Sequence, residues 1–103
     1  MIEFTDLDYN DRVKNGVVLV ELGASWCGPC KALKPVLTQL STEYTGQVLF
    51  GEVDVDKCPE VSKRLQIRNV PTIALYKNGT IVEKGVGLMD KSKLKAMIDK
   101  HLN

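Results

Sequence analysis

The sequence predicts a single α/β domain built around a β-α-β unit, and three observations point to it. The apolar run Val17–Leu22, a helical-period set of apolar residues after Cys30 and a second strand-like segment from Val48 follow one another directly. Asn78-Gly79 joins two further strand-like segments and is a strong two-residue hairpin signal. The last stretch places Leu94, Met97, Ile98 and Leu102 on one helical stripe. At 103 residues and 44% hydrophobic content, the chain has material for one core.

Taken in order, a short strand is expected at Ile2–Phe4, then a helix from about Thr5 that ends at Asn15-Gly16. Val17–Leu22 is broken only by Glu21, the pattern of a strand covered on both faces. From Cys30 onward Leu33, Val36, Leu37, Leu40 and Tyr44 recur at helical spacing until Gly46 stops them. Pro35 lacks the N–H that would bond back to Lys31, so a kink is expected there. Val48, Phe50, Val53 and Val55 form the second strand, parallel to the first through a right-handed crossover. Active loops collect at the C-terminal edge of such a sheet. Asp56–Leu65 reads as a short helix with Pro59 suited to its first position, and Ile67 to Pro71 lead into a strand at Thr72–Tyr76. After the hairpin come a strand at Ile81–Val86 and a helix that opens near Asp90, where Met97 reads as core filler. There is no linker, repeat or low-complexity segment.

Chemistry concentrates at Trp26-Cys27-Gly28-Pro29-Cys30. Two thiols one turn apart at the mouth of a helix can close and reopen a disulfide. The free N–H groups and partial positive charge of a helix start favour a thiolate, which makes Cys27 a nucleophile near neutral pH. Two other readings meet obstacles. A structural zinc needs about four ligands, and Cys58 and His101 stand singly and far apart. A structural disulfide across so short a loop removes little unfolded-state entropy.

Net charge is +1, from 14 basic and 13 acidic side chains that are well mixed, so neither nucleic acid nor an anionic membrane is indicated as a partner. The first residues have no basic or apolar leader pattern, and no apolar run approaches the ~20 residues of a membrane span. A cytoplasmic location is the expectation. In a reducing cytosol a reactive C-x-x-C is catalytic more often than structural, and an odd count of three cysteines argues against a disulfide framework.

The string W-C-G-P-C-K at Trp26–Lys31, the helix proline Pro35, Val70-Pro71-Thr72, Asn78-Gly79 and Val86-Gly87 occur in the order and spacing of the thioredoxin family. The chain resembles that family along nearly its whole length. The resemblance implies a central five-stranded mixed β-sheet flanked by four α-helices. It also implies a monomeric protein-disulfide reductase that needs no cofactor, acts on disulfide-containing target proteins and is recharged by a thioredoxin reductase. Cys27, at an exposed helix start, would attack the target disulfide, and Cys30, deeper and covered, would resolve the mixed disulfide. Glu21 is the candidate proton acceptor for Cys30, since a carboxylate within an apolar strand is costly unless its pKa rises. The alternative puts Glu21 at a strand end with its head in water.

The sequence departs from the family at three places. The family usually has Asp at Glu21 and often a lysine at Glu52, and it commonly has an aromatic at Gly23. Lys34, one turn beyond Cys30, is the expected partner of Glu21 in place of that lysine. Gly23 is expected to open space beside the motif, and Trp26, the only tryptophan, to stack near the thiols. Gly-Pro between the cysteines resembles the reducing members, whereas a histidine there marks isomerases and oxidants. Pro71 resembles the family's cis-proline, aiming the Val70 backbone at an extended substrate peptide. Trp26, Gly28, Pro29, Val70, Pro71, Val86 and Gly87 would then form a shallow apolar docking surface.

Cys58 is expected on the same rim of the sheet as Cys27, either as a site of oxidation, glutathionylation or dimerisation or as a covered thiol without a role. His101 reads as solvated, and the lysines between Lys84 and Lys100 as a hydrated face. Two other functions fit the same residues. An isomerase or oxidant would have a strongly oxidising potential, and an interaction module would keep its function without the cysteines.

Overall fold

β2 (Val17–Gly23) is buried from Val18 to Gly23, so neither of its faces meets water and both of its edges need neighbours. A computed structural model describing residues 1–102 shows how that is met. β3 (Val48–Asp54) runs parallel to β2, and β1 (Ile2–Glu3) runs parallel to β3. β4 (Thr72–Lys77) lies antiparallel on the other edge of β2, and β5 (Thr80–Val86) pairs with β4 across the hairpin. The sheet is therefore mixed and five-stranded, in the order β1-β3-β2-β4-β5.

Strand alternation sorts the core into two layers. Val18, Val20 and Leu22 face α1 (Tyr9–Val13) and α3 (Pro59–Arg64), in a cluster with Phe4, Tyr9, Val13 and Val61. Leu19, Phe50, Ile73 and Leu75 face α2 (Gly28–Glu43) and α4 (Lys91–Asp99), which contribute Leu33, Leu37, Leu40, Leu94 and Ile98. The same parity carries Glu21 and Gly23 onto the α2 face. Register sets Glu52 beside Glu21 and Asp54 beside Gly23.

Local chemistry explains most boundaries. Asn78 (φ 50°) and Gly79 (φ 86°) both adopt positive φ, as a two-residue primed turn requires. Asp90 caps α4 by accepting from Lys93 N–H at 2.8 Å, and Pro35 falls inside α2. Several elements are shorter than the sequence suggests, β3 stopping before Val55 and α4 before Leu102. Phe4 leaves β1, although its N–H still donates to Glu52 O at 2.8 Å. Regular α1 begins at Tyr9, not Thr5, and ends at Val13. Thr5 and Asp8 instead cap each other, Thr5 N–H donating to Asp8 Oδ1 at 2.8 Å and Asp8 N–H to Thr5 Oγ1 at 3.2 Å, which closes a tight lead-in turn. α3 begins only at Pro59 because Asp54 Oδ1 accepts from Asp56 N–H and holds the preceding residues in a turn. Its free N–H groups at Glu60 and Val61 donate to Asp6, 54 and 55 residues away.

The lysines between Lys84 and Lys100 stand largely in solvent, as expected, and three of them also meet partners. Lys91 pairs with Glu43 at 2.5 Å, Lys95 donates to Tyr44 Oη at 3.1 Å and lies over its ring, and Lys100 pairs with Glu83 at 3.9 Å. His101 is not solvated: its side chain is 19% exposed, with Nε2 3.5 Å from Glu83 Oε2. Glu43 and Tyr44 at the end of α2 and Glu83 of β5 supply these partners at the surface, where such pairs add little, and the buried Leu94 and Ile98 hold α4 to the core. Met97 packs against the core as filler.

Gly51 is required by close approach, since a Cβ there would enter the fully buried Phe4 ring. Gly51→Ala is expected to cost about 1–3 kcal/mol by overpacking. A urea midpoint lowered without a change in slope is the expected result, and an unchanged midpoint would contradict this packing.

Candidate active site

β2 delivers the chain to the site, and α2 begins there. Residues 24–26 turn the chain, and Cys27 occupies the N-cap of α2 in extended conformation, its carbonyl accepting from Lys31 N–H at 3.2 Å. Pro29 fits the first turn because a helix start has no use for its missing N–H. Cys27 and Cys30 are joined as a disulfide, with Cα atoms 5.3 Å apart. Cys27 Sγ also accepts from Cys30 N–H at 3.1 Å.

That bond corrects one expectation. Cys27 is not exposed: it is 4% accessible, against 8% for Cys30. Its side chain folds back over the first turn, and Ala24, Val55 and Val70 pack in one cluster with the two cysteines. Trp26, Gly28 and Pro29 are the exposed part of the motif.

Glu21 is 8% exposed and its Oε2 has no hydrogen-bond partner, so the strand-end alternative with a solvated head does not hold. Alternation under α2 is the cause. Burial pushes its carboxyl up to about 7, the neighbouring Glu52 adds to the rise, and Lys34 opposes it. Gly23 lines a cleft beside the motif, but the place directly above it is occupied. The Glu21 carboxyl fills the place where a side chain on Gly23 would stand, and Cys30 Sγ lies 3.0 Å from that place. Glu21, Gly23, Cys30, Lys34 and Glu52 share a cleft of about 360 Å³. Lys34 is not the direct partner of Glu21. It is mostly exposed, and its ion pair is with Glu52, Nζ to Oε2 at 3.6 Å.

Opposite the cysteines the Val70-Pro71 peptide is cis. Val70 packs against the sulfur cluster, Pro71 is buried, and Pro71 O accepts from Gly87 N–H at 2.8 Å, which draws Val86-Gly87 to the same end. Trp26, Val86 and Leu88 are 68%, 60% and 61% exposed. Leu88 was not anticipated, although it adjoins the Val86-Gly87 pair. Nor was Asp56, whose Oδ2 accepts from Trp26 Nε1 at 2.8 Å and anchors the indole to the loop after β3. No local pattern signals a bond between residues 30 positions apart.

Cys58 is not on an accessible rim. It is 3% exposed in the α1/α3 core, its Sγ donates to Phe4 O at 3.6 Å, and burial first, then Asp6, raises its thiol pKa. The covered-thiol alternative is the one that fits. Among the described residues no group of three or more His, Cys, Asp or Glu could hold a metal ion, and no helix is long and apolar enough to cross a membrane.

Two sulfurs that join across one turn at the start of a helix make this a site for exchanging a dithiol with a disulfide, and the chain is a thiol–disulfide oxidoreductase. The family model described as Thioredoxin matches residues 1–100. Thioredoxins of Staphylococcus aureus strains MW2 and N315 are each 38% identical over 102 residues, covering 99% of this chain and 98% of theirs. The chain belongs to the thioredoxin family.

Proposed function

We propose that the chain reduces disulfides in other proteins, with Cys27 as nucleophile, Cys30 as resolving thiol and Glu21 as the acceptor of the Cys30 proton. The Cys27 thiolate attacks one sulfur of the target disulfide, forming a Cys27–target mixed disulfide and releasing the other target sulfur as thiolate. Cys30 gives its proton to Glu21 and attacks Cys27 Sγ, releasing the second target thiolate and closing Cys27–Cys30. Two electrons pass to the target, and a thioredoxin reductase restores the dithiol.

The observation that carries this reading is the Cys30 N–H on Cys27 Sγ at the N-cap of α2. A donor at a helix N-terminus binds a thiolate more strongly than a thiol, so it favours ionising this sulfur over its neighbour. Glu21, held near 7, is poised to accept a proton at neutral pH. The apolar ends of Trp26 and Val86, with Gly28, Pro29, Val70, Pro71 and Gly87, supply a docking surface for an extended segment of the target. The setting we propose is the cytoplasm, where reducing equivalents are available, with the chain acting as a single domain and a monomer.

Insulin reduction tests it, first with dithiothreitol and then with a thioredoxin reductase as electron donor. Catalysed precipitation is expected with both donors, and none with a Cys27→Ser, Cys30→Ser double variant. A double variant as active as the native chain would sink the proposal.

A further inference from the structure

Gly23 ends β2 on the face covered by α2, two residues beyond Glu21 and therefore on the same side of the sheet. Its φ lies outside the left-handed region, so the backbone does not require glycine. A buried strand position without a side chain forgoes packing, and a glycine there often marks the close approach of another group. Here the space is taken. A Cβ on Gly23 would overlap Glu21 Oε2, stand 3.1 Å from Glu21 Cδ and come within 3.0 Å of Cys30 Sγ.

We propose that Gly23 is a positioning residue: its missing side chain is the seat in which the Glu21 carboxyl lies beside the sulfur of Cys30. The longer reach of a glutamate and the absence of a side chain two residues on are then one device, because the carboxyl lies along the strand over the Gly23 Cα. The functional half of this inference rests on Glu21 being the proton acceptor for Cys30.

An alanine at this position displaces the carboxyl. Glu21 Oε2 is the far end of a flexible side chain and yields first, and the space beside it is the cleft. With Glu21, that cleft is lined by Glu52 and Asp54 of β3, Glu3 of β1, and Lys31, Lys34 and Cys30 of α2, and of these charges Glu52 and Lys34 act on the Glu21 carboxyl. A carboxyl turned toward that opening is better hydrated, so it ionises at lower pH and stands farther from the thiol it serves.

The test compares the native chain, Gly23→Ala, Glu21→Gln and the double variant. In the disulfide form, carbon-13 titration of the Glu21 carboxyl is expected to fall by about one pH unit in Gly23→Ala. Single-turnover release of a peptide held as a mixed disulfide on Cys27 is expected to slow about tenfold at pH 7 in Gly23→Ala, with no further loss when Ala is added to Glu21→Gln. An unmoved titration overturns the proposal, and so does an equal slowing by Ala in both backgrounds, which would mean that it acts on the Cys30 sulfur directly. Gly23→Ser, which adds the same Cβ, repeats the test should alanine impair folding as read by circular dichroism. A Glu21→Gln chain with native rate and pH profile refutes the proton-acceptor role, and the carboxyl titration in Gly23→Ala then decides the seat by itself.

Discussion

Cys27→Ser is expected to abolish reductase turnover, a loss of about a thousandfold or more, whereas Cys30→Ser is expected to stall as a stable mixed disulfide with its target. A serine hydroxyl is not ionised near neutral pH, so no attack begins without Cys27. Without Cys30 the first exchange still occurs and the second cannot. The pair of variants carries information that burial does not, because both sulfurs are covered, Cys27 at 4% and Cys30 at 8% exposure. What separates them is the electrostatics of their positions. Cys27 Sγ accepts the Cys30 N–H at the N-cap, and Cys30 lies in the first turn beside Glu21 and Gly23. Non-reducing electrophoresis and mass spectrometry of trapped complexes read the outcome. Target accumulating on Cys30 in the Cys27→Ser chain, and not on Cys27 in the Cys30→Ser chain, would reverse the roles.

Glu21→Gln is expected to change both stability and rate, each with a distinct pH signature. The Glu21 carboxyl has an ordinary value of 4.5 and is raised to about 7 in the folded chain. Below pH 4.5 both states hold the proton and burial costs nothing ionic. Between 4.5 and about 7 the unfolded chain loses the proton while the folded chain keeps it, so folding weakens as pH rises, and above 7 the loss is complete. The full gap corresponds to on the order of 3 kcal/mol, and water in the adjoining cleft reduces it, so about 1–3 kcal/mol is expected. Glu21→Gln therefore matches the native chain near pH 4, exceeds its stability near pH 8 and loses this slope, as urea midpoints across that range measure. Resolution by Cys30 is expected to slow about a hundredfold near pH 7, because an amide accepts no proton, and to recover at alkaline pH, where the thiol ionises unaided. A variant that keeps the native stability slope would remove Glu21 as the titrating group.

These expectations were legible in the sequence to different depths. The β-α-β unit could be read because apolar periodicity changes from strand to helix at Cys27–Cys30, and the hairpin because Asn78-Gly79 supplies two positive φ angles. The helix of the last segment follows from the Asp90 cap and the Leu94–Ile98 stripe. Errors fell where a distant group decided the outcome. Lys34 and Glu21 are compatible in sequence, yet parallel register places Glu52 where Lys34 meets it first. Asp6 caps α3, Asp56 holds Trp26, and Glu83 gathers Lys100 and His101, each from another part of the chain.

By itself the sequence determined that two sulfurs stand one turn apart at a helix start at the end of a buried strand, and hence that the chemistry is disulfide exchange. Spacing, caps and turn residues are local, and they act within a few residues. Only the tertiary structure decided that Cys27 is covered, that the Glu21 carboxyl fills the place above Gly23, and that Lys34 serves Glu52. Desolvation and charge pairing depend on which segments meet, and those meetings are settled by packing across the sheet.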